Sequence, residues 1–126
     1  MDWQIRAIRG ATTVPENSVA AMAAAVSELL DAVEDRNELD PNRFVSVTFS
    51  VTQDLDAVFP AAIARKRPHW ESVPLLDVQQ MHVEGSLPRC IRLMLHTYLP
   101  HSIKVHHAYL RGAQKLRPDL CLAADG

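Results

Sequence analysis

The chain has 126 residues, a net charge of −2, 48% hydrophobic and 22% charged residues, the balance of a single globular domain over 1–126. Such a charge argues against a dedicated binder of nucleic acid or of an anionic membrane, which is usually basic. The longest apolar run, Val19 to Val26, falls far short of the ~20 residues that span a bilayer.

The opening Met1-Asp2-Trp3-Gln4 has neither the basic start nor the apolar stretch of a signal peptide. Cys90 and Cys121 form no disulfide framework and no metal-ligand spacing. The expected location is therefore cytoplasmic, with both thiols reduced. A domain this small buries roughly two-thirds of its unfolded surface. That suffices for one core and leaves no room for a deep enclosed site as well. A small enzyme can solve this by building its site between subunits.

Trp3 to Arg9 reads as a strand that ends at Gly10. Asn17 or Ser18 is a good N-cap. Behind it Val19, Met22, Ala23, Val26, Leu29, Leu30 and Val33 repeat at helical spacing. Glu28, Asp31, Glu34 and Asp35 fall on the other side, an acidic face expected to be simply solvated. This helix should stop before Asp40-Pro41, because the residue before proline avoids the α region. Arg43 to Val51 is β-branched, aromatic and alternating, hence a strand. Pro60 suits the first turn of a short helix over Ala61 to Lys66. Val73 to Val78 is a further strand candidate, Gly85 to Pro88 a turn, and Cys90 to Leu99 and Val105 to Leu110 are strands. Ala113 to Leu116 is a last short strand candidate, and 119–126 reads as a tail that frays unless held. The order gives an α+β fold: a mixed β-sheet with one long helix and one or more short helices on one face.

Alternation in a strand puts residues two apart on one face. Arg9 shares a face with Ile5 and Ala7, Arg92 with Cys90 and Met94, and Tyr109 with Val105 and His107. Two guanidinium groups thus sit in strands between apolar neighbours, with no carboxylate in those strands to pair with. Arginine can snorkel to water from such a position. Burying it otherwise costs several kcal/mol unless an anion is present. The alternative to snorkelling is a pocket for a substrate bearing carboxylates, which arginine grips in a bidentate fork. There is no Gly-rich phosphate loop, HExxH, CxxC or GxSxG. His106 and His107 are adjacent and face opposite ways on a strand, while His69, His82, His96 and His101 are scattered. No metal or cofactor is expected, and the chemistry would rest on positioned charge.

The segments Ile8-Arg9-Gly10-Ala11-Thr12-Thr13-Val14, Thr52 to Ala61, Gly85 to Arg92, Tyr109-Leu110 and Leu116-Arg117-Pro118-Asp119-Leu120 together resemble the monofunctional AroH-type chorismate mutases. The resemblance runs in order over nearly the whole chain, and the IRGATT and LRPDL segments are specific in combination. It implies a homotrimer in which three sheets form a pseudo-barrel (the chorismate mutase II-like class), with active sites at the interfaces. It implies a substrate, chorismate, that rearranges to prephenate without cofactor, metal or covalent intermediate, in phenylalanine and tyrosine biosynthesis. By the same resemblance Arg9 holds a substrate carboxylate, Arg92 the ether oxygen whose bond breaks, and Tyr109 a carboxylate. Leu76, Asp77, Val78, Gln79 and Gln80 correspond to the segment at the ring hydroxyl. Phe59, Ala61, Arg65, Leu75 and Leu116 correspond to a wall supplied by the neighbouring subunit, and the C-terminal tail to a cover. Three positions depart from the pattern: Ala62 replaces a common lysine, Asp77 a cysteine and Gln80 a glutamate. A carboxylate facing a dianion would weaken binding, so the Asp77 side chain is expected to turn away and leave its backbone N–H toward the substrate. Competing readings are an imine deaminase of the RidA type, which resembles this family in fold, and a trimeric anion binder without turnover.

Overall fold

The computed structural model describes residues 2–120. Strand β1 (Trp3–Thr13) is followed by helix α1 (Val19–Asn37), strand β2 (Phe44–Val51), the short helix α2 (Pro60–Ala64), and strands β3 (Leu75–Gln79), β4 (Cys90–Pro100) and β5 (Ala108–Tyr109). The five strands form one sheet in the order β3-β2-β4-β1-β5. The central β4 is antiparallel to both β1 and β2, while β3 and β5 add as parallel edges to β2 and β1. The sheet is therefore mixed.

Helix α1 forms for the reasons its sequence gives. The Ser18 hydroxyl accepts from the Ala21 N–H at 3.1 Å, and Glu38 closes the other end in the left-handed region at φ 49°. Its stripe of Met22, Val26, Leu29, Leu30 and Val33 is fully buried against Ile8, Val47, Phe49, Leu93 and Leu95 of the sheet. Burying each such side chain contributes about 1.5–3 kcal/mol. The acidic face is not simply solvated. Arg67 donates to Asp31 at 2.9 Å and to Glu34 at 3.2 Å, Trp70 Nε1 donates to Glu34 at 2.6 Å, and Arg111 pairs with Glu28 at 3.1 Å. These carboxylates tie α1 to the chain after α2 and to the chain after β5.

Three local expectations are corrected. Gly10 does not end β1, which runs on to Thr13. A Cβ at Gly10 would lie 3.2 Å from both Leu29 Cδ1 and Leu93 Cγ, so this glycine lets α1 approach the strand closely. The last strand does not begin at Val105. Before Ala108, the Asn37 side chain takes the place of a neighbouring strand: its amide donates to the His106 carbonyl and accepts from the His106 N–H, both at 2.7 Å. Ala113 to Leu116 is no strand either; 111–115 is a 3-10 turn. Arg111 there lies at φ 52° and Gly112 N–H donates to Thr13 Oγ1 at 3.1 Å, folding the chain back on the end of β1. Of the expected tail over 119–126, Asp119 and Leu120 lie in one more 3-10 turn that begins at Pro118, with Arg117 paired to Asp119 at 2.8 Å. Residues 121–126, Cys121 included, lie outside the described residues.

One face of the sheet is covered by α1 and α2. The other carries Arg9, Thr48, Ser50, Leu76, Val78, Arg92 and Tyr109, because register pairs Ala11 with Arg92 and Tyr109, and Ser50 with Arg92 and Val78. On this face Trp3, Ile5, Leu76, Val78, Met94 and Tyr98 are each more than a third exposed.

Candidate active site

Strands β1, β2, β4 and β5 bring Arg9, Thr48, Ser50, Arg92, Met94 and Tyr109 around one cleft of about 250 Å³ on the open sheet face. Arg9 and Arg92 are half-buried and Tyr109 is only 7% exposed. The Arg92 Nε is buried and has no hydrogen-bond partner among the described residues. Among the described residues, no carboxylate stands within ion-pairing distance of Arg9 or Arg92. A buried guanidinium edge without a partner is costly, and a ligand carrying negative charge removes the cost.

Two neighbours of the arginines, Cys90 and His107, are held neutral. Burial pushes the Cys90 thiol above its ordinary value, against the opposing pull of Arg92 beside it. Burial lowers the His107 imidazole, and the charges of Arg9 and Arg117 lower it further. His107 Nδ1 accepts from the Arg9 backbone N–H at 2.9 Å, which fixes the neutral tautomer and anchors β1 at the residue that carries the guanidinium. The start of β4 is anchored as firmly. Asp54 accepts from the Arg89 N–H at 2.9 Å, and Thr52 Oγ1 accepts from the Cys90 N–H at 3.0 Å. Burial alone would raise the Asp54 carboxyl; the bonds from Thr52 and Arg89 outweigh it and hold the group below its ordinary value.

The remaining candidates lie elsewhere. Phe59, Asp77, Val78 and Gln79 line a second cleft of about 580 Å³ at the β2–β3 edge beside α2. It shares no lining residue with the first. Phe59 is 71% exposed, Arg65 is exposed and Ala61 is buried. Leu75 packs on the main core. Leu76 is exposed on the open face. Gln80 borders a third, small cleft of about 120 Å³ with Asp54 and His82, and its Oε1 is buried without a partner among the described residues. Within the protomer Leu116 packs with Tyr109, Ala11 and Ala113. The Asp77 carboxylate is directed at α2, where Oδ1 accepts from the Ala61 N–H at 3.0 Å. Burial raises this carboxyl above its ordinary value, opposed by the Ala61 bond and the Arg65 charge. Among the described residues no three His, Cys, Asp or Glu side chains converge as metal ligands, and no helix is long and apolar enough to cross a membrane.

The family model for chorismate mutase type I matches residues 5–120. The chain belongs to this chorismate mutase family. The type I description replaces the II-like label attached above to the barrel. The chorismate mutase AroH of Bacillus subtilis (strain 168) is 39% identical over 120 residues, covering 94% of each chain. The chorismate mutase AroH of Thermus thermophilus is 42% identical over 119 residues, covering 92% of this chain and 96% of the relative. The solved chorismate mutase from Clostridium thermocellum superposes with a TM-score of 0.80 at 39% identity, over 87% of this chain and 98% of that one. The chemistry of a chorismate mutase is an isomerisation, chorismate to prephenate.

Within that family frame, sequence reasoning missed Thr48, Ser50 and His107 as neighbours of the arginines. Thr48 and Ser50 had a signal: in Phe44 to Val51 the small polar residues alternate with the core residues Val47 and Phe49. His107 had none, since its contact depends on where β5 begins.

Proposed function

We propose that the chain rearranges chorismate in the cleft of Arg9, Arg92 and Tyr109, and that a homotrimer completes each site with the 59–79 region of a neighbouring protomer. The observation that carries the cleft is the buried Arg92 Nε, without a hydrogen-bond partner among the described residues, beside a second arginine that no described carboxylate approaches to ion-pairing distance. The observation that supports the assembly is the separation of the candidate residues into two clefts on one protomer. The apolar side chains exposed on the open face support it too, since patches of this kind mark interaction surfaces. The family resemblance supplies the number three.

In this reading Arg9 and Tyr109 hold a substrate carboxylate, and the flexible substrate is kept in its compact, reactive conformer. Arg92 sits at the ether oxygen, where negative charge gathers as the C–O bond opens. The C–C bond forms at the other end of the same molecule, so atoms and electrons balance within one substrate. Fixed positive charge helps only to the extent that its interaction strengthens in the transition state. His107 and Cys90 serve by staying neutral. A charged imidazolium or thiolate would change the field that the two arginines set.

The test is loss of chorismate absorbance by the purified protein, beside Arg92→Ala and in the presence of EDTA. Turnover is expected in the unaltered protein, insensitive to EDTA, with kcat reduced at least about 10²-fold in Arg92→Ala and KM changed less. Undiminished kcat in the variant would reduce Arg92 to a structural residue. Light scattering on the same sample should give three times the 14.0 kDa of one chain.

A further inference from the structure

Helix α2 has an unusual start. Its N-cap residue, Phe59, offers no side-chain acceptor. Pro60 at the first position has no N–H to satisfy. The Ala62 N–H donates to the Phe59 carbonyl at 3.0 Å and the Arg65 N–H to the Ala61 carbonyl at 2.9 Å. That leaves the Ala61 N–H as the one donor of the first turn that the helix itself cannot serve. It is served from another element: Asp77 Oδ1, on β3, accepts from it at 3.0 Å.

The placement follows from register. Asp77 pairs with Phe49, and Phe49 is fully buried on the helix-covered face. The Asp77 side chain therefore rises toward α2, while Leu76 and Val78 point to the open face with Thr48 and Ser50. Among the described residues, the charged groups beside it are Arg65 at the end of α2 and Asp56 in the loop before it. Phe49 and Val51 of β2 beneath carry no charge.

We propose that Asp77 is a positioning residue that caps α2 from β3 and so fixes Phe59, Ala61 and Arg65, the wall presented to the substrate of a neighbouring protomer. The inference rests on the reading of that wall given above. It gives the carboxylate, which a dianionic substrate would repel, a structural task away from the substrate. A cysteine thiol, standing here in the family pattern, is a weak acceptor and makes a poorer cap.

The experiment compares Asp77→Asn and Asp77→Ala with the unaltered protein, measuring chorismate kinetics near neutral pH and hydrogen exchange of the Ala61 amide. Asparagine keeps the acceptor and loses the charge; alanine loses both. Losing a cap of this kind weakens the helix start by roughly 5- to 10-fold in equilibrium. Asp77→Ala should raise KM by about that factor with kcat within about 2-fold, and speed Ala61 exchange similarly. Asp77→Asn should raise KM less than Asp77→Ala does and leave Ala61 protected. The proposal is overturned if asparagine is as damaging as alanine, if neither variant changes KM, or if alanine lowers KM by relieving repulsion of the substrate. Should Asp77→Ala fail to fold, an unprotected Ala61 amide in the unaltered protein overturns it equally. Absence of turnover in the unaltered protein would sink the proposed function instead, and Ala61 exchange would still judge the cap.

Discussion

The two clefts of this chain are built in different ways. The cleft of Arg9 and Arg92 rests on β1 and β4, which pair residue by residue over the whole length of both strands, and β2 pairs with the other edge of β4. Side chains reinforce that ladder where each arginine stands: His107 holds the Arg9 backbone, and the Thr52–Asp54 loop holds the start of β4. The cleft of Phe59 and Asp77 rests on a five-residue helix and an edge strand of five residues. One bond, from Ala61 to Asp77, links the first turn of that helix to the strand. Groups that must stabilise developing charge cannot reorganise during the reaction. On the proposed reading Arg9 and Arg92 are such groups, and they sit where the backbone is determined on both sides. On the proposed reading the second surface meets another protomer, whose contacts let it be simpler.

The sharpest way to break this contrast is to alter the charge and leave the ladder. Arg92→Lys keeps a cation and loses the planar fork, and kcat is expected to fall about 10²-fold with the melting temperature little changed. A kcat within a few fold of the unaltered protein would mean that a point charge suffices there.

A smaller effect is expected from loosening the frame beside the cleft. Asn37→Ala removes three bonds, two to the His106 backbone and one to the Val33 carbonyl. It leaves buried backbone groups unsatisfied and should cost about 1–3 kcal/mol in urea unfolding. Protection of the Ala61 amide in the other cleft should not change, if the two regions are as separate as their lining suggests.

The smallest effect is a slope. The folded His107 titrates below its ordinary value of 6.5, so as pH falls the unfolded chain takes up this proton first. The stability His107 contributes is present above the ordinary value and is lost as pH falls through the depressed one. The charged groups facing it are Arg9 and Arg117, with His106 adjacent. His107→Gln should flatten that part of the stability curve, read by urea unfolding between about pH 5 and 8. An unchanged slope would assign the titration to another group.

Much of the frame was legible before any coordinates. Helix α1 and strands β1, β2 and β4 carry long, regular hydrophobic periods, and such periods survive any tertiary context. Arg9 and Arg92 stood out as charges with apolar neighbours on both sides in their strands. The short elements were not legible. The Val105–Leu110 run has the composition of a strand, yet only Ala108 and Tyr109 pair, because Asn37 from the end of α1 claims the backbone of His106. Gly10 reads as a stop in one dimension and is a point of close approach in three. Glu28, Asp31 and Glu34 read as a wet face and are docking points for Arg111, Arg67 and Trp70.

By itself the sequence determined the class of the fold, the faces of its long elements, the presence of two arginines flanked by apolar residues and, through its motifs, the family. The tertiary structure decided which of the candidate residues share a cleft, that Leu116 stands with Tyr109, and that the Asp77 carboxylate turns to α2. The physical reason is range. Periodicity and capping are set by neighbours a few positions apart, whereas Asp77 and Ala61, or Arg9 and His107, meet only after strand order and register have been chosen. Register is settled by the burial of the whole sheet at once, and no local stretch of residues encodes it.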